Sequence, residues 1–189
     1  DMVSRSTLAH ARVASTCEAV ASPLALILEE LRTVVGSLDV AAYSSPMGAT
    51  FAHASVGGHV RHCLDHARAL VDGRAAGVID YDHRARGTRI ESDPGAALDE
   101  LDRLISGIVG LSEVEAQEPV GVAIMPTRDG DTTVLGSTLA RELAFVLSHT
   151  IHHNATIRGM AVAMGKGVPA SFGYAPSTLA YGDRRACAR

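Results

Sequence analysis

His149, His152 and His153 crowd into "SHTIHHNA" (148–155), and His59, His62 and His66 crowd into "HVRHCLDH" (59–66). Imidazole is the side chain that most often ligates divalent transition metals, and it also moves protons near neutral pH. Two of the spacings are four residues: His62 to His66 and His149 to His153. An α-helix turns about 100° per residue, so residues four apart share a face and can chelate one ion. Two such pairs on two helices can share a single site. Three neutral nitrogens leave coordination positions open for water or substrate, as a catalytic ion requires. The plainer reading of each pair is a polar seam at the border of a core.

Other chemistries find less support. The zincin pattern H-E-x-x-H is absent, because Thr150 stands where the glutamate base would be. No G-x-S-x-G marks a hydrolase elbow. "TRDGDTT" (127–133) lacks the spaced oxygen ligands of a calcium loop and reads as a turn. Cys63 adjoins His62, but neighbours in sequence diverge on a helix, so Cys63 reads as a buried structural thiol.

The chain has 189 residues, 47% of them hydrophobic and 20% charged, which suits one domain over 1–189 with a core of its own. A net charge of −4 without a basic run argues against nucleic acid as a partner, as does the scarcity of aromatic rings for base stacking. Cys17, Cys63 and Cys187 are widely spaced and odd in number, which favours a reducing compartment over a disulfide framework. No signal-peptide pattern opens the chain, and no apolar run reaches the roughly 18 residues of a membrane helix. The expectation is a cytoplasmic protein.

Periodicity and punctuation predict the elements that position the histidines. An Ala/Leu/Val/Glu-rich helix over 4–36 ends at Gly36, with Pro23 as a kink or break. A loop covers 37–55, a second helix 56–72 and a polar connection 72–92. A third helix starts at the N-cap Asp93 with Pro94 at N1 and reaches about Ala116. Two β-rich runs around "RDGD" predict a short hairpin over 120–137. The clearest helix runs from a Ser137 cap to Gly165, and a short one follows Pro176. Four long helices suggest an all-α, antiparallel four-helix bundle carrying a short hairpin before the last long helix.

On the last long helix, His149 and His153 flank the apolar stripe formed by Leu139, Leu143, Val146 and Ile157, and His152 points towards solvent. Glu142 falls at nearly the same angle as the pair. It could accept a hydrogen bond from a ligand histidine, fixing its tautomer, or pair with an arginine elsewhere. On the 56–72 helix, His59, His62 and His66 lie on one flank, with His59 nearest the core and His62 furthest from it.

"SVGGHVRHCLDH" (55–66) and "STLARELAFVLSHTIHHNATI" (137–157) resemble the DinB-like superfamily, which includes metal-dependent thiol transferases. The family pattern of a Ser-Val start, a histidine seven residues on and an aspartate three further falls on Ser55-Val56, His62 and Asp65. Its later H-x-x-x-H falls on His149 and His153. "GYAPSTLAY" (173–181) resembles the tail of an uncharacterised branch of that group. The resemblance implies a dimeric four-helix bundle with one divalent ion held by His62, His149 and His153; on ligand type zinc is the first choice and nickel the second. The resemblance thus selects His62 over His59. His66 becomes a neighbour of the ion: a supporting hydrogen-bonding group, a fourth ligand or a proton shuttle. Asp65 is expected to cap, pair or be solvated, Arg141 to face solvent or hold an anion, and Tyr174 and Tyr181 to pack or to close over the site. The implied activity is transfer of a low-molecular-weight thiol, with metal-assisted hydrolysis or a non-catalytic dimeric metal-binding module as alternatives.

Overall fold

A computed structural model describes residues 13–85 and 87–187, with side chains as far as Tyr181. Apolar periodicity produces six helices: α1 (Glu18–Gly36), α2 (Val40–Ser44), α3 (Val56–Ala76), α4 (Pro94–Val109), α5 (Leu139–Ala163) and α6 (Pro176–Cys187). Three short strands accompany them: β1 (Val78–Asp80), β2 (Pro119–Ile124) and β3 (Thr133–Thr138). The molecule is therefore mostly helical, in line with the all-α expectation, and β1 extends the expected hairpin into a small sheet in the order β1-β2-β3.

Each long helix shows why it forms. α1 buries Ala21, Leu24, Leu28, Leu31 and Val35, three or four residues apart, on one face. Ser55 caps α3 by accepting from the Gly58 N–H, and Asp93 caps α4 by accepting from the N–H groups of Gly95 and Ala96. α1 and α3 each pack on both α4 and α5, so the four long helices close a ring around one core. Leu28, Leu64, Leu104 and Leu143, one from each helix, are fully buried in it.

Several boundaries differ from expectation. The start of the 4–36 helix lies outside the described residues as far as position 12. From Val13 to Cys17 the chain is not helical, and Thr16 instead bridges to Glu115 in β fashion. Pro23 sits inside α1 without ending it. α4 stops at Val109 rather than near Ala116, and turns follow. Thr138, not Ser137, occupies the N-cap of α5, because β3 pairs through Ser137 and Thr138 with Val120 and Pro119. The hairpin is real, but residues 125–132 link its strands, so "RDGD" is part of a longer loop.

The sheet exists because the 72–92 connection contains β1, which pairs in parallel with β2 through Val78–Gly121, Ile79–Val122 and Asp80–Ala123. Two glycines make that turn. Gly77 closes α3 at φ 76°, in the left-handed region that glycine enters without strain. At Gly73 an added Cβ would meet the Val78 carbonyl oxygen at 2.7 Å, so only glycine lets β1 lie this close to α3. The strand then delivers Tyr81 and the following loop to the histidines.

Candidate metal centre

α3 and α5 pack side by side, and their histidines meet along the seam. His62 from α3 and His149 and His153 from α5 each offer a ligand nitrogen, and these atoms lie within 4.8 Å of one another. A tetrahedral ion with bonds of about 2.1 Å needs its nitrogens roughly 3.4 Å apart, a closure that side-chain torsions can supply. His152 is exposed and meets the group only edge-on at His153. Of the α3 histidines, His66 is the buried one, while His59 and His62 are half-buried, which differs from the idealised projection.

Burial pushes the imidazoles towards their neutral form, and neighbouring rings add to the effect. The pKa falls to about 3 at His62, about 4 at His149 and about 3 at His153. Burial also lowers His59 and His66. Each ring at neutral pH therefore carries one N–H and one lone pair. His66 Nδ1 lies 3.0 Å from the His62 carbonyl oxygen, which can only accept, so Nδ1 holds the proton and Nε2 holds the lone pair. His59 Nδ1 and His153 Nδ1 are 3.0 Å apart; one donates and the other accepts. His149 Nε2 is buried with no hydrogen-bond partner. A buried polar atom without a partner is costly unless something else engages it.

Rings enclose the group. His66 stacks on His149 with centroids 3.9 Å apart and on Tyr81 at 5.2 Å. Phe145 completes the wall against Tyr81 and His149. Tyr81 Oη donates to Glu142 Oε2 at 3.0 Å, and Ser137 Oγ donates to Glu142 Oε1 at 2.5 Å. This corrects the expectation for Glu142. Among the described residues its carboxylate holds two hydroxyls, neither a histidine nor an arginine, and it reaches the cluster only through Tyr81. β1 carries Tyr81 there, and nothing in the polar 72–92 stretch announced that strand.

Asp65 is buried and paired with Arg61 at 2.7 Å and Arg68 at 3.0 Å, which settles its role as structural pairing. Tyr174 lies under the Arg158 guanidinium, 4.5 Å from its ring centre, and lines neither of the two larger cavities. Tyr181 is exposed. A cavity of about 490 Å³ is lined by His53, His59, Arg61, His62, Glu91 and His153. A second, of about 400 Å³, lies under the hairpin between Leu135, Tyr81, Glu142 and Phe145, with the exposed Arg141 on its wall. The hairpin contributes Val122, Ile124 and Leu135 to the lining of this second cavity. Arg84, which sequence reasoning passed over, reaches His62 Nδ1 with its Nη1 at 2.5 Å.

No family model matches the chain, and no solved structure matches it. Over 103 residues, 54% of the chain, it is 33% identical to FK506-binding protein 5 of Rhizopus delemar. The chain spans 27% of the length of that curated relative. Among the described residues no helix is long and apolar enough to cross a membrane.

Proposed function

We propose that the chain is a DinB-like, divalent-metal-dependent protein acting on a small molecule, with thiol transfer as its reaction. One observation carries this reading: three imidazoles from α3 and α5 converge with their nitrogens within 4.8 Å, and burial keeps all three neutral. The unpartnered Nε2 of His149 fits the same reading. An all-imidazole donor set suits zinc or nickel. The ring of α1, α3, α4 and α5 supports the four-helix-bundle arrangement, and the free, buried Cys17 and Cys63 support a cytoplasmic setting.

His62, His149 and His153 would hold the ion. When bound, such an ion supplies Lewis acidity that lowers the pKa of a thiol or a water. The chain's own groups define the rest. The 490 Å³ cavity shares His62 and His153 with the cluster and offers room for a small substrate. Glu91 and Arg61 set its polarity, and Arg61 is held in place by Asp65. His59 orients His153 through the Nδ1–Nδ1 bond. Hydrolysis is the neighbouring chemistry at such a centre. His66, stacked on His149 with centroids 3.9 Å apart, carries a different second reading, in which this fourth imidazole turns into the shell and the ion only pins helices in a dimeric module.

Metal content by mass spectrometry tests the proposal on the untagged chain and on His62→Ala, His149→Ala and His153→Ala. About one equivalent of zinc or nickel is expected in the unmodified protein, with loss in each variant. Absence of metal after incubation with both ions sinks the reading. Relaxation with a paramagnetic substitute then separates an exchangeable water, as in a catalytic site, from a closed shell.

A further inference from the structure

Arg84 stands in the loop after β1, and its Nη1 lies 2.5 Å from His62 Nδ1. A guanidinium stays protonated and has only donors, so it donates and Nδ1 accepts. A neutral imidazole has a single lone pair. In this contact that pair is spent on Arg84, and the ring proton sits on Nε2. An ion held by His62 needs the same lone pair, whichever nitrogen presents it. Through Nδ1, the ion takes the place of the guanidinium. Through Nε2, it forces the ring proton onto Nδ1, where N–H would face N–H. The Arg84 contact and coordination by His62 therefore exclude each other.

Arg84 also has somewhere to go. Among the described residues no ion pair fixes it, whereas Arg61, Arg68 and Arg103 are each held by carboxylates. A third cavity, of about 280 Å³, is lined by Arg84 itself together with Asp65, Asp72, Asp80, Arg68 and His83. Arg84 thus contacts the His62 lone pair and borders a cavity whose aspartates already pair with Arg61, Arg68, Arg103 and His83, a charged cluster that a displaced guanidinium would join. We infer that Arg84 is an internal competitor for the metal centre, bound to His62 when the ion is absent and turned towards the aspartates when it is present. This rests on the metal reading above and adds a residue to it: the affinity of the centre is set partly by a latch that the ion must displace. The latch lowers the apparent affinity of every ion by the same factor, because each must displace the same guanidinium hydrogen bond.

The test is a cobalt(II) titration against a chelating dye, on the full chain, with circular dichroism confirming the fold of each variant. Arg84→Met and Arg84→Ala both remove the donor, and Arg141→Met removes an exposed arginine that lines the neighbouring cavity. Both Arg84 variants are expected to bind cobalt about tenfold more tightly than the unmodified chain, about 1.4 kcal/mol. Arg141→Met should change affinity less than about twofold. Equal affinity in the unmodified chain and the Arg84 variants overturns the latch while leaving the metal centre standing. Weaker binding in the Arg84 variants also overturns it, since Arg84 would then support the site. No binding by any form overturns the metal reading and the latch together.

Discussion

Each imidazole in the cluster has one lone pair to give, and its neighbours decide where that pair points. For His153 to bind an ion through Nε2, its Nδ1 must donate to His59, which makes His59 the acceptor in the 3.0 Å contact. His59→Phe keeps the ring and removes the acceptor. It is expected to weaken zinc binding about tenfold, the low end of what loss of such a partner costs. A competition titration with a chromophoric chelator reads this directly, and unchanged affinity would remove His59 from the centre. The four-residue spacings of His62/His66 and His149/His153 were legible from periodicity alone, because a helix fixes which residues share a face. Choosing His62 over His59 came from the family resemblance, not from the projection. Arg84 and Tyr81 were not legible: they follow a three-residue strand whose pairing partner lies about forty positions later in the chain, and no local pattern encodes that.

At the scale of elements, α3 and α4 are clamped by a charged ladder. Glu100 accepts from Arg68 Nε at 2.8 Å and from Arg103, and Arg103 reaches on to Asp72. Burial alone would raise the Glu100 pKa, but the two guanidiniums outweigh it and hold the carboxyl below its usual range. A carboxyl depressed in the folded state contributes stability that is fully present above the unfolded pKa of about 4.3 and is lost as pH falls through the folded value. Glu100→Gln should therefore cost about 1 kcal/mol at neutral pH, and the difference should vanish at low pH as the unmodified chain also takes up the proton. Urea denaturation on both sides of that range checks it; a gap that persists in acid would show that the ladder is not what Glu100 supplies. The start of α4 was legible because a cap announces it, at Asp93. Boundaries failed where a strand competes for the same residues, as at Ser137, whose hydroxyl went to Glu142 instead of to a cap.

For the whole molecule, the ring of four helices has α3 and α5 as the pair that shares the histidines. An ion bound there would tie two elements far apart in sequence, and only the folded chain can bind it this way. At a hundredfold excess over Kd, such an ion stabilises by about 2.7 kcal/mol, which for a chain of this size raises Tm by roughly 5–10 °C. Thermal melts with zinc, with zinc plus chelator, and with His149→Ala under both conditions test this: the shift should follow the ion and be absent in the variant. Mostly helical architecture could be read from the sequence because long amphipathic segments dominate it. The sheet could not, since β1 is shorter than any stretch in which alternation can be recognised.

The stack of Tyr81 on His66 has an optical consequence. The chain has four tyrosines and no tryptophan, so its near-ultraviolet emission comes from phenol rings alone. Tyr43 is buried with its hydroxyl on the Ile90 carbonyl, and Tyr174 lies beneath Arg158. Tyr81 touches the imidazoles at 5.2 Å and gives its hydroxyl hydrogen to a carboxylate. It is a lamp built into the wall of the site, and whatever settles among the histidines and dims it announces its arrival without a label.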